Sequence, residues 1–85
     1  LSRGLAAAEA AVKSGERDAA KIVGAARALI EAEPRARIDY VELRDADELS
    51  AVTTLSRPAV LAMAVFIGTR ATRLIDNRVL RPVSK

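Results

Sequence analysis

Residues 59–80 read AVLAMAVFIGTRATRLIDNRVL, and this stretch decides the fold. Its first nine residues are apolar on both alternating faces: Val60, Ala62, Ala64 and Phe66 on one, Leu61, Met63, Val65 and Ile67 on the other. Length alone permits a short buried helix. The β-branched residues and the Gly68 stop favour a central strand. Gly68-Thr69-Arg70-Ala71-Thr72 then reads as a hairpin loop. Arg73 to Leu80 forms the last strand, ended by Pro82, and a turn this tight makes the two strands antiparallel.

Upstream, Ile38-Asp39-Tyr40-Val41-Glu42-Leu43 is another strand, rich in β-branched and aromatic residues. Strict alternation puts Val41 and Leu43 on one face and Ile38 and Tyr40 on the other, so both faces are expected to be partly covered. Asp45 to Ser56 is a connector in which Asp47 is expected to cap one helical turn that plants Leu49 on the core. Two helices precede the strands. Leu1, Leu5, Ala8 and Val12 form one stripe, stopped at Gly15. Asp18 caps the second helix, whose stripe is Ala19, Ile22, Ala26, Leu29 and Ile30 and which ends near Ala32, before Pro34. The short gap suits an antiparallel helical hairpin. The fold expected over residues 1–85 is therefore a single two-layer α+β domain: an N-terminal helical hairpin packed on a three-stranded antiparallel sheet.

Composition closes off several chemistries. The 85 residues contain no His and no Cys, which excludes a Ser-His-Asp triad, a Cys nucleophile, disulfides and thiolate or imidazole metal sites. The longest apolar run, Ala59 to Gly68, is half the ~20 residues of a membrane-spanning helix. No signal peptide is visible, and a reducing, cytoplasmic setting fits. The chain does not begin with Met, as expected of a processed product or an excised piece. For 9.0 kDa, size scaling predicts a folded surface of about 4,800 Å².

Charge is uneven. Residues 1–48 carry 8 basic and 10 acidic side chains; residues 49–85 carry 6 basic and 1 acidic, which gives the net +3. A basic C-terminal half reads either as a solvated surface rich in Arg, the preferred reading, or as a match for an anionic neighbour such as a nucleotide or an acidic protein surface. Nucleic acid is a poor fit, because Tyr40 and Phe66 are the only aromatic residues and offer no stacking platform.

Candidate sites are few. The glycines form no phosphate-binding loop. Asp45, Asp47 and Glu48 make a short acidic cluster, read as a solvated turn and helix cap rather than a cation site. Asp39 and Glu42 are expected on opposite faces of their strand, which argues against a shared carboxylate site. Asp76 and Asn77 are costly inside an apolar strand unless both are hydrogen-bonded. They read either as ligand contacts together with Arg73 or, preferably, as hydrogen-bonding partners that tie the connector to the sheet.

ARIDYVELRDADEL (36–49), the apolar strand AVLAMAVFIG (59–68) and TRLIDNRVL (72–80) together resemble the C-terminal domain of the pantothenate synthetase (pantoate–β-alanine ligase) family. The opening LSRGL and Gly15 follow in the family's order, so the resemblance covers about residues 1–81. Arg73, Asp76 and Asn77 fall in its most distinctive element. The resemblance implies a cytoplasmic enzyme of coenzyme A precursor synthesis that uses ATP and Mg²⁺ to form pantoyl adenylate. It also implies an N-terminal Rossmann-like catalytic domain as this chain's partner, and a parent homodimer built through that missing domain. No catalytic residue carries over, because the family's HxGH-type and MSSRN-type motifs have no match here. Thr69-Arg70-Ala71 lengthens the hairpin by about two residues relative to the family; Arg70 and Arg73 are the candidate nucleotide contacts. The rival expectation is a stand-alone α+β interaction module without catalysis. A two-layer domain with three strands leaves two sheet edges and one open face; some of that surface is expected to meet the large domain in the full enzyme, and the isolated chain is expected to be able to self-associate through it.

Overall fold

A computed structural model describes residues 2–68 and 72–83. Helix α1 runs Ser2–Lys13 and helix α2 Ala19–Glu31. Gly15, at φ +104, makes the left-handed turn between them, and Asp18 Oδ1 accepts the Ala20 N–H at 2.9 Å to start α2. Strands β1 (Ala36–Asp45), β2 (Ala59–Ile67) and β3 (Thr72–Leu80) form an antiparallel sheet in the order β1-β2-β3. The expected α+β architecture is observed, with residues 59–67 extended rather than helical.

The helical hairpin covers one face of the sheet. Leu5, Ala8 and Val12 of α1 and Ala19, Ile22, Ala26 and Ile30 of α2 meet Val41, Leu43, Leu61, Met63, Val65 and Leu80 in one continuous core. Leu29 departs from its expected place: it is 47% exposed, and Ile30 alone carries the stripe at that turn. Gly4 is buried where α1 crosses α2; an added Cβ there would lie 3.2 Å from the Ala26 carbonyl oxygen. A small residue at this point sets how closely the helices approach.

Three further expectations are corrected. A bulge between Ile38 and Tyr40 breaks the register of β1: Ile38 opposes Val65, whereas Tyr40 opposes Ala64. The extra residue, Asp39, resets the alternation, so Ile38 joins Val41 and Leu43 against the helices. Asp39 and Glu42 consequently share the outer face, contrary to strict alternation. Leu49 does not reach the core; it is 64% exposed with φ +60, and Leu55, fully buried, anchors the connector instead. The turn is capped by Asp45 rather than Asp47. Its Oδ2 accepts the N–H groups of Asp47 and Glu48 at 3.1 and 2.8 Å.

Among the described residues, no further layer covers the outer face of the sheet. Val60, Ala62 and Phe66 of the central strand are only partly buried there, and Ile75 and Val79 of β3 are exposed. The accessible surface is 5425 Å², above the ~4,800 Å² expected from mass. The molecule is correspondingly flat, 44 × 25 × 16 Å. Among the described residues, no helix is long and apolar enough to cross a membrane.

Candidate functional site

The uncovered sheet face concentrates the polar chemistry at the end where β1 begins and β2 finishes. Register places Arg37 opposite Phe66, and Phe66 opposite Arg73. The Arg37 guanidinium sits 4.9 Å from the centre of the Phe66 ring, and that of Arg73 lies 5.9 Å from the Tyr40 ring. Both are within the range where a cation is held by the ring's negative face. An open recess of about 680 Å³ beside them is bordered by Arg35, Arg37, Phe66 and Thr72. Among the described residues Arg35 and Arg37 form no ion pair, so their charge is available to an anion. Neither residue was singled out from the sequence; the signal was the Arg-x-Arg run at the start of a strand, legible only once Phe66 is known to lie opposite Arg37.

Arg73, a sequence candidate, is already engaged. Its Nε and Nη2 both donate to Asp39 Oδ2, at 3.2 and 2.9 Å, across the central strand. The Asp39 bulge aims the carboxylate at it. This makes Arg73 a clasp between the two edge strands. Glu42 is held by Arg44 at 3.3 Å, so the two outer-face carboxylates answer to different arginines and form no catalytic pair. Arg70 lies outside the described residues.

Asp76 and Asn77 do not tie the connector to the sheet. Asp76 Oδ1 accepts the N–H of its neighbour Asn77 at 2.8 Å, and among the described residues neither side chain bonds to the connector. That task falls to Asp45 and Arg57. Arg57 Nε donates to Asp45 Oδ1 at 2.7 Å, and its Nη2 reaches Glu48 at 3.5 Å. The Glu48 N–H, with help from Arg57 and the Asp47 N–H, holds the Asp45 carboxyl below its ordinary value of 3.8 despite burial, which opposes ionisation. Both Asp45 oxygens are thus occupied by protein donors. Among the described residues no group of three acidic side chains is arranged to hold a metal ion.

A family model described as pantoate-beta-alanine ligase matches residues 1–79. The chain is 48% identical over 84 residues to a pantothenate synthetase of Syntrophobacter fumaroxidans, covering 99% of this chain and 29% of that protein. It is 49% identical over 80 residues to one of Pelotomaculum thermopropionicum, covering 94% and 28%. A crystal structure of pantothenate synthetase from Thermus thermophilus superposes with a TM-score of 0.74 at 23% identity, over 94% of this chain and 28% of that one. The chain therefore spans less than a third of the length of these relatives.

Proposed function

The chain belongs to the pantoate-beta-alanine ligase family, and we propose that it is the C-terminal lid of an ATP-dependent enzyme that joins pantoate to β-alanine in the cytoplasm. In that reaction the pantoate carboxylate attacks the α-phosphorus of ATP and pyrophosphate leaves. The β-alanine amine then attacks the acyl carbon and AMP departs. The single observation behind this reading is a family match over nearly the whole chain that accounts for only 28–29% of each relative. The remainder, an N-terminal catalytic domain, is assigned the catalytic groups, the bound Mg²⁺ and the parent's dimer contact.

The lid's own contribution is shape and charge. An acyl adenylate hydrolyses if water reaches it, and a closing domain excludes water. The unlayered sheet face supplies a surface for closure, and its uncovered apolar side chains favour burial there. Arg35 and Arg37, beside Phe66, are the groups assigned to the nucleotide on closure, where fixed positive charge would stabilise the developing pyrophosphate. Asp45 is not assigned as a Mg²⁺ ligand, because its oxygens are already taken by Arg57 and two backbone N–H groups.

Pantoate-dependent ATP–pyrophosphate exchange tests the assignment. The product of the full reading frame is expected to catalyse it, and the purified 85-residue chain is expected to show none. Exchange by the short chain, or its absence from the full product, would overturn the reading.

A further inference from the structure

The sheet has two edges, and they are treated differently. The β1 edge is interrupted by the Asp39 bulge, and Ala51 bridges onto it at Arg44. Both devices hinder another strand from adding. Among the described residues the β3 edge has neither; its local feature is the Asn77 N–H, which Asp76 Oδ1 accepts at 2.8 Å and which must exchange that partner when a strand adds. Its register with β2 is unbroken from Thr72 to Leu80, and no proline falls within it. Its side chains are under-covered on both faces: Leu74 is 43% exposed on the helical side, and Ile75 and Val79 are 61% and 43% exposed on the outer side.

We propose that β3 pairs antiparallel with β3 of a second copy of this chain, about a two-fold axis at Asn77, to give a continuous six-stranded sheet. Charge selects this register. With Asn77 opposite Asn77, Asp76 of each copy faces Arg78 of the other, so the symmetric contact makes two complementary pairs. Ile75 then meets Val79 on the outer face, and Leu74 meets Leu80 on the helical face. Moving the axis one residue either way sets Asp76 against Asp76, or Arg78 against Arg78, and both are repulsive. The pairing spans residues 74–80 and stops with the strand, before Arg81. Arg78 already leans on Glu9 of α1 at 3.4 Å, which keeps its stem in place along the sheet. The contact is small, so the association is weak and concentration-dependent. It does not depend on the ligase assignment, since it uses only groups within these 85 residues.

Light scattering coupled to size exclusion tests the contact on the 85-residue chain. The mass is expected to rise from 9.0 kDa toward twice that value as concentration increases. Asp76→Lys or Arg78→Glu alone sets like charges opposite each other twice and should weaken dimerisation at least about tenfold. The double variant Asp76→Lys/Arg78→Glu restores complementarity and should recover it. Circular dichroism verifies that each variant folds. A chain that stays monomeric, a single variant that associates as tightly as wild type, or a double variant no tighter than the singles overturns the proposal. Should the charge variants not fold, cysteine coupling decides instead, because the chain has no cysteine of its own. Asn77→Cys should give a disulfide-linked dimer on mild oxidation much faster than Glu31→Cys, placed on the exposed side of α2; equal rates would overturn the pairing.

Discussion

Gly4 and Gly24 sit in neighbouring helices, and the same substitution at each should move stability in opposite directions. Replacing glycine by alanine inside a helix gains about 0.8–1 kcal/mol, because the glycine backbone loses more freedom on folding. At Gly24, on the exposed side of α2, an added Cβ meets nothing within 4 Å, so Gly24→Ala should realise nearly all of that gain. At Gly4 the added Cβ would lie 3.2 Å from the Ala26 carbonyl oxygen and from Ile30 Cγ1 and Cδ1. The Ile30 side chain can rotate. The Ala26 oxygen belongs to helix backbone and moves only if the whole helix does. Overpacking of this kind costs about 1–3 kcal/mol. Gly4 also lies in the first turn of α1, where the propensity gain is smaller, so Gly4→Ala should be a net loss of about 1 kcal/mol. At roughly 2.1 cal/mol/K per residue, unfolding 85 residues carries an entropy near 0.18 kcal/mol/K, so 1 kcal/mol is about 5 °C. Thermal melts followed by circular dichroism should therefore place Gly24→Ala about 5 °C above wild type and Gly4→Ala about 5 °C below it. A Gly4→Ala chain melting at or above wild type would refute the close helix crossing, and a Gly24→Ala chain melting below it would refute the open surface assigned to α2.

Two other predictions concern the connector. Leu55→Ala should cost about 2–5 kcal/mol in a urea titration, as expected for emptying a fully buried leucine site, while Leu49→Ala should leave the midpoint nearly unchanged; equal effects would contradict the observed anchoring. Asp45 has a lowered pKa in the folded state, so its charged form stabilises the fold at pH values above the ordinary carboxyl value of 3.8. That contribution is lost as the pH falls through the still lower folded value. Urea midpoints between pH 2 and pH 7 should show Asp45→Asn less stable than wild type at neutral pH, with the gap closing below about pH 4; a gap independent of pH would show that the carboxylate charge is irrelevant there.

How much of this was legible beforehand differs from element to element. The helices, the central strand and the final strand follow from local rules: apolar spacing of three and four, alanine content, Gly15, Asp18, Pro34, and a run apolar on both faces before Gly68. Each acts within a few residues, so each survives being read in isolation. The open outer face was legible as the face left over when a two-helix layer covers one side of a three-stranded sheet; what covers it was not, because a strand apolar on both sides reads the same whether its second cover belongs to this chain or to another polypeptide. The candidate site was only half visible. Arg73 was singled out, yet its partner is Asp39, thirty-four residues away, and Arg35 and Arg37 gain meaning only beside Phe66.

By itself the amino-acid sequence determined which segments coil and which extend, their antiparallel pairing and the absence of His and Cys chemistry, since these depend on short-range sterics, hydrophobic period and residue inventory. The tertiary structure alone decided the bulge at Asp39, the exchange of Leu49 for Leu55 in the core, and the role of Asp45 as cap. It also decided which edge of the sheet was left without a bulge or a bridging segment among the described residues. Each of these depends on distances between residues far apart in the chain, where one inserted residue or one competing hydrogen bond reverses which face a side chain occupies.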